Sequence, residues 1–532
     1  MASPMSSVPF EQVPSNILVP FFWGEFNSGG SPYESFPRPL LLGQMVTTTG
    51  GLSLAGNATP GQVYGPIASH DDAVARFGNC SMLVAMYDKA AQAAPLQPFW
   101  ALPIADPTGA AAAGSIVFTA PGITGQAILY IMGRQVTFQV NAADIASTVA
   151  TNAAAAINAL NAANALPGSN CPIVATASSG TVTLTCAHLG LLGNGLETIV
   201  AADQPNVLNG TNAVVTALTG GSGTPTLSTP LAALGSVPYD WIAAPYTDST
   251  SLAAVAAFLN DQSGRWSPAQ QLFGHYTTAY LGQSLSTLTT FGNTQNSQHV
   301  TVFGGFGSGV SPSPPWEVAA SLVGTEALHL ANPPELSRPL QTLALPGIVA
   351  PRSQASWWTV ASRQALYSDG VAAGKVGVDG TCRIDRMVTT YQSTALGTPD
   401  QTFLDIETMA QGMYTMRYFR TGVSDEWGRA AFADEDPYNN PSVATPSKIK
   451  VTLINLYTDL CALGVAQHPE LFQQYVVTAR NALDPDRCDA YIPENMVGQL
   501  RVFAANVTAF RSYTSPGGAP LVPSAPGYSS AA

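Results

Sequence analysis

The chain has 532 residues, enough for about three or four compact units at roughly 150 residues each, yet only 10% of them are charged, against about 25% in an ordinary soluble domain. Such a nearly neutral surface suits a subunit that ends packed against partners, because charge is what keeps monomers apart. The 33 acidic residues outnumber the 20 basic ones, for a net charge of -13, and no basic run occurs; nucleic acid is excluded as a partner, since phosphate binding needs clustered Lys and Arg.

The first residues carry neither a basic stretch nor an apolar one, so no secretory signal is expected and folding is expected in the cytosol. No run of 18 apolar residues occurs, and the Ala-rich stretch 153–165 is interrupted by Asn158, Asn161 and Asn164, which argues against a membrane span. Residues 1–25 form an N-terminal extended arm: 1–14 are rich in Pro and Ser, and Ile17 to Trp23 is a β-prone run broken by Pro20, the mark of an edge strand. Twenty extended residues reach about 66 Å, farther than a domain is wide.

Residues 26–105 read as an α/β part of the core, with a strand at 44–46, a helix opened by Ser69 and stopped by Gly78, and a second helix over 81–94. Residues 106–223 form a small α+β insert. Its strands are expected at 115–119, 127–132 and 135–140, followed by a helix capped by Asp144 with Ile145, Val149, Ala153, Ile157 and Leu160 on one face. A hairpin over 173–176 and 181–186 closes through Ser178-Ser179-Gly180. Residues 224–345 alternate strand (241–244, 271–275, 299–303) with helix (251–260, 283–291, 316–330), which implies a parallel βαβ sheet. Residues 346–511 form a helix-rich α+β domain with three helices, opened by Pro399, by Thr445-Pro446 and by Pro493-Glu494; the second carries Leu453, Leu456 and Leu460 and stops at Gly464. Residues 512–532 are a Ser/Pro/Gly/Ala-rich flexible arm. The fold class is therefore multidomain α/β and α+β with extended terminal arms.

No catalytic constellation can be assembled. The glycine-rich 304–309 follows a strand, but prolines intervene before the next helix and no cation is near, so a plain loop is expected instead of a phosphate cradle. Asp484 to Asp489 lacks the Gly and terminal Glu of a calcium loop, Asp434 to Asp436 reads as an exposed loop, and the six His never fall at metal-ligand spacing. The six Cys contain no CxxC; Cys171 and Cys186 flank the hairpin, but free buried thiols are expected in a reducing compartment. No enzyme activity and no cofactor are expected. A secreted adhesin or surface-layer protein is the alternative, suggested by the Thr and Gly richness and opposed by the missing signal.

Several segments, in their order along the chain, resemble the tail sheath proteins of contractile-tailed bacteriophages, in the Mu-like branch. They are Val13-Pro14-Ser15-Asn16-Ile17-Leu18-Val19-Pro20; Gly133-Arg134-Gln135-Val136; the helix 153–160 with 190–194; Arg338-Pro339-Leu340-Gln341-Thr342-Leu343; Gly347-Ile348-Val349-Ala350-Pro351; Thr390-Tyr391 with Gly397-Thr398-Pro399-Asp400; and Asn481-Ala482-Leu483-Asp484-Pro485-Asp486-Arg487 running into Gln499-Leu500. The resemblance implies a homopolymer of stacked rings or a helical lattice in the virion tail. Its further partners would be the tail tube, the baseplate and the tail terminator, with no membrane insertion. It also implies that the terminal arms add strands to sheets of neighbouring copies, with Ile17, Val19 and Phe21 at one end and Leu521 and Val522 at the other. Lys448 and Lys450 would be tube-facing. The Ser/Pro/Gly/Ala tail departs from the family pattern.

Overall fold

The computed structural model describes residues 37–47, 54–162 and 165–507. β1 (Pro39–Gln44) starts with a proline at its first position, where no ladder bond is lost, and continues through Leu40, Leu41 and Leu42, each wholly buried. The strand thus lies ahead of the expected 44–46: a run buried on both faces shows no alternation to mark it. α1 (His70–Phe77) and α2 (Met82–Ala93) follow, capped by Ser69 and Ser81, whose hydroxyls accept from the amides of Asp72 and Leu83. β2 (Trp100–Ile104) then pairs parallel with β1, Leu41 opposite Ala101.

Next comes the insert: β3 (Ala111–Phe118), β4 (Gly125–Ile131), β5 (Arg134–Val140), α3 (Ala146–Asn158), β6 (Ile173–Ser178), β7 (Thr181–Leu189), β8 (Thr198–Val200) and β9 (Ala213–Thr219). Its two antiparallel sheets have the orders β6-β7-β3-β9 and β5-β4-β8. α3 buries Val149, Ala150, Ala153, Ala154 and Ile157, but its start differs from expectation. Asp144 accepts from the Asn141 amide instead of capping, and Ile145 takes the cap position with 63% of its surface exposed. The helix covers the edge of β6 in a specific way. Asn158, its last residue, accepts from the Ala175 amide at 2.9 Å and donates to its carbonyl at 2.8 Å; Asn161, in the turn after the helix, does the same for Cys171 just ahead of β6 at 2.9 and 2.6 Å and also reaches the Ile173 carbonyl at 3.4 Å. Two side-chain amides thus occupy backbone groups that would otherwise invite another strand. The hairpin register sets Ile173, not Cys171, opposite Cys186, and both thiols are free and buried, which pushes them up to about 12.

After the insert come α4 (Ser228–Ala232), β10 (Trp241–Ala243), α5 (Ser249–Leu259), β11 (His275–Ala279), α6 (Leu285–Gly292), β12 (Val300–Phe303) and α7 (Pro315–His329). The expected alternation is present. β11 starts four residues late because Gln271 and Phe273 take positive φ in the preceding turn. The central sheet is parallel in the order β12-β11-β10-β1-β2. α2 and α7 cover the face carrying Leu41, Ala101, Trp241 and Ala243; α4 and α5 cover the face carrying Leu40, Leu42, Leu102 and Ile242. At Gly324 the two inner helices touch so closely that a Cβ would lie 2.8 Å from the Ala90 carbonyl. The loop 304–309 is packed, not open: Gly307 bridges to Trp357 and Phe306 is 2% exposed.

The remainder holds α8 (Val360–Ser368), the hairpin β13 (Ala373–Val376) and β14 (Cys382–Arg386), then α9 (Ile406–Trp427), β15 (Ala431–Phe432), β16 (Val443–Ala444), α10 (Pro446–Ala462), α11 (Pro469–Tyr475), β17 (Val477–Arg480) and β18 (Cys488–Tyr491). α10 begins and stops where its cap signals stand, with Thr445 at the start and Gly464 at φ 74 after its end. Two expectations fail here. Pro399 does not open a helix: Asp400 holds Thr402 in a side-chain turn and accepts from the Tyr391 hydroxyl, so α9 starts only at Ile406. The helix expected from Pro493 is absent from the described residues 493–507, which run as an extended strap; the rest of that expectation, to Phe510, lies outside the described residues.

Candidate assembly surface

The strap is held by side chains of α9 and α10 and by groups of the loops beside them. The Asn495 amide donates to the Tyr457 hydroxyl, the Val497 amide to the Val465 carbonyl, and Gln411 and Gln341 donate to the carbonyls of Val497 and Leu500. Arg501 then turns inward: its Nη2 lies 2.6 Å from Glu407 Oε2 and 3.2 Å from Asp405 Oδ1. With its backbone groups claimed in this way, the segment has no helix to form, whatever its apolar spacing. Leu500, Val502, Phe503 and Val507 stand 71 to 87% exposed.

Beside the strap, β17 and β18 form a two-stranded antiparallel ribbon, Val477 opposite Tyr491. No other strand of the described residues pairs with either edge. Val477 and Tyr491 are more than half exposed, as is Tyr475 at the end of α11. A two-stranded ribbon is marginal alone, and open edges with apolar neighbours are what an added strand requires.

The expected site residues are distributed unevenly. Ile17, Val19, Phe21, Leu521 and Val522 lie outside the described residues. Lys448 is not a free surface cation: its Nζ binds Asp436 at 2.7 Å and the carbonyls of Asn440 and Val443 at 2.8 and 3.0 Å. That ammonium holds the Asp436 carboxyl below the usual range. Lys450 is half-buried along α10. In the 484–489 turn, Arg487 pairs with Asp489 at 2.6 Å, and Asp484 accepts from the Asp486 amide. Among the described residues no group of three His, Cys, Asp or Glu side chains is placed to hold a metal, and no helix is long and apolar enough to cross a membrane.

A second polar concentration, unforeseen from sequence, joins the insert to the core. Arg134 reaches Glu317 of α7 at 2.7 Å, and Lys89 of α2 stands 3.9 Å from the same carboxylate. Arg352 grips Glu197 through two bonds of 2.7 and 3.1 Å and lies 3.7 Å over the Tyr130 ring. Met82, at the start of α2, donates to His188 Nε2, while His188 Nδ1 faces Asp106 at 2.9 Å. Asp88 accepts from the Gly168 amide at 2.7 Å and meets His70 at 2.8 Å, a bond that raises the His70 pKa. In a chain so poor in charge, several of its charges are committed to orienting the insert, a role that single-residue spacing does not announce.

Residues 220–390 match the family model described as the phage tail sheath protein central domain. The chain is 28% identical over 506 residues to the Mu-like prophage FluMu tail sheath protein of Haemophilus influenzae, covering 94% of this chain and 98% of that one. Solved structures with a similar course include the sheath tail protein of Desulfitobacterium hafniense (12% identity, 90% of this chain and 100% of that one, TM-score 0.45). Another is the helical sheath of the anti-feeding prophage in its contracted state (11% identity, 93% and 99%, TM-score 0.45).

Proposed function

We infer that this chain is a contractile phage tail sheath protein, a structural subunit of the virion tail; what carries this reading is the central-domain match together with a relative that spans nearly the whole chain. Neither match supports the adhesin alternative. On that premise, copies assembled in the host cytoplasm form a helical polymer around a tail tube, between baseplate and terminator, and shorten to drive the tube through the host envelope. The extended lattice stores the energy, released when subunits re-pack into an arrangement that buries more interface, so no cofactor is consumed.

Copies stay joined by strand addition. Ile17, Val19 and Phe21, spaced two residues apart, are the residues that would enter a neighbour's sheet, and Pro20, which has no N–H to donate, suits an edge position. The open β17–β18 ribbon is the acceptor this reading favours, and Leu521 and Val522 are the corresponding positions of the other arm. Pairing through main-chain groups tolerates the rotation and sliding that contraction demands, because no particular side chain has to find its partner again. A tube contact on α10 would rest on Lys450, Lys448 being spent on Asp436.

Electron microscopy of the purified chain tests the reading, with tubes or stacked rings expected. Deleting residues 1–23 should leave a folded subunit, with the melting temperature of the full chain, that does not polymerise. Normal tubes from that truncation would overturn strand donation while leaving the sheath assignment standing.

A further inference from the structure

The strap ends on an arrangement that its backbone contacts do not require. Arg501 is 12% exposed, and it meets Glu407, which is wholly buried, and Asp405, which immediately precedes α9 and is itself held by Arg386 through bonds of 2.8 and 2.9 Å. Glu407 Oε1 also accepts from the Leu340 amide at 2.9 Å. Two more of the guanidinium nitrogens, Nε and Nη1, are buried with no protein partner. Past it, Val502 and Phe503 are 80 and 84% exposed; Leu500, just before it, is 71% exposed but its carbonyl is held by Gln341. Clamped chain and free chain therefore meet at a single guanidinium.

We propose that Arg501 is the fixed end of the C-terminal arm, a positioning residue that transfers any pull on the arm into the buried start of α9 and away from the β17–β18 ribbon. The inference rests on the sheath reading for the origin of the pull, but the clamp is a property of the single subunit. Three geometric facts carry it. The amide and carbonyl bonds along 495–500 are single contacts spaced along the chain and would open one after another under tension applied from the C-terminal end. Among the described residues Arg501 makes the last attachment of the strap, so tension from the C-terminal end reaches it first. Its carboxylate partners sit at the start of α9, Asp405 just before it and Glu407 in its first turn, and this helix of 22 residues, packed through Met409, Met413 and Phe419, resists displacement as a unit. Without Arg501, Glu407 would be a buried carboxylate without its counter-ion, and the strap would be held only by the weaker bonds.

Hydrogen exchange on the full chain as a free subunit tests this. In Arg501→Ala the amides of Asn495 and Val497 are expected to exchange at least tenfold faster than in the unsubstituted chain, while amides within α9 and α10 keep their rates. Arg501→Lys, which retains a charge but loses the planar fork, should fall between the two, and it serves if the alanine variant does not fold. Unchanged protection at 495 and 497 would overturn the clamp, and so would an equal acceleration throughout α9 and α10, which would mark Arg501 as a general stabiliser. Polymerisation of the unsubstituted chain is read separately: its absence would refute the sheath reading and leave the exchange result to judge the clamp.

Discussion

Glu326 lies in the last turn of α7 with no exposed surface, and Thr277 Oγ1 of β11 stands 2.9 and 3.0 Å from its two carboxyl oxygens. Burial pushes its pKa up to about 8, only partly opposed by the threonine. Because the folded value exceeds the unfolded value of 4.5, the folded chain binds the extra proton between the two. Its contribution to stability is complete below about pH 4.5 and is lost as the pH rises towards 8, on the order of 5 kcal/mol in all. Glu326→Gln keeps an acceptor for Thr277 without the charge, so its melting temperature should exceed that of the unsubstituted chain at pH 8 and converge with it at pH 5, as a calorimetric pH series would read. Nothing in the sequence distinguishes Glu326 from a surface glutamate. The same holds for Glu317, Glu197 and Arg501, since a charge-poor composition describes how few charges there are and says nothing about where the fold puts them.

Elements whose ends carry their own chemistry were legible. α1, α2 and α10 start at Ser69, Ser81 and Thr445 because each hydroxyl accepts an otherwise orphaned amide, and that requirement is local. The segment 493–507 was not legible, because its apolar spacing suits a helix while Tyr457, Gln411 and Glu407, all distant in sequence, hold it out of one, Glu407 through Arg501. α3 shows a further limit: Asn158 and Asn161 read as interruptions of an apolar run, and their work is to sheathe an edge strand. Replacing both by Ala should cost about 1–3 kcal/mol for each set of buried groups left unpaired, and should expose β6 to pairing with other chains. Light scattering on the heated double variant is expected to rise several degrees below the onset for the unsubstituted chain; identical onsets would show that α3 shields the edge by bulk alone.

At the scale of the whole molecule, the parallel sheet was half visible. The alternation over 224–345 gives β10, β11 and β12, but β1 and β2 complete the same sheet from the far side of an insert of more than 100 residues, and no local pattern encodes a pairing of such range. That insert enters and leaves through one narrow doorway: Ala110 and Ser222 exchange backbone bonds of 3.1 and 3.3 Å, and a Cβ on Gly109 would collide with the Ser222 carbonyl. The neighbouring termini make the region a cassette, which a foreign domain with closely spaced ends could replace without disturbing the order of the sheet. Charge is the condition on such a graft. Lifting out the cassette strips Arg352 of Glu197, whereas Glu317 loses Arg134 but keeps Lys89, so a chimera that also carries Arg352→Gln should give soluble subunits in higher yield than one that leaves that side chain behind.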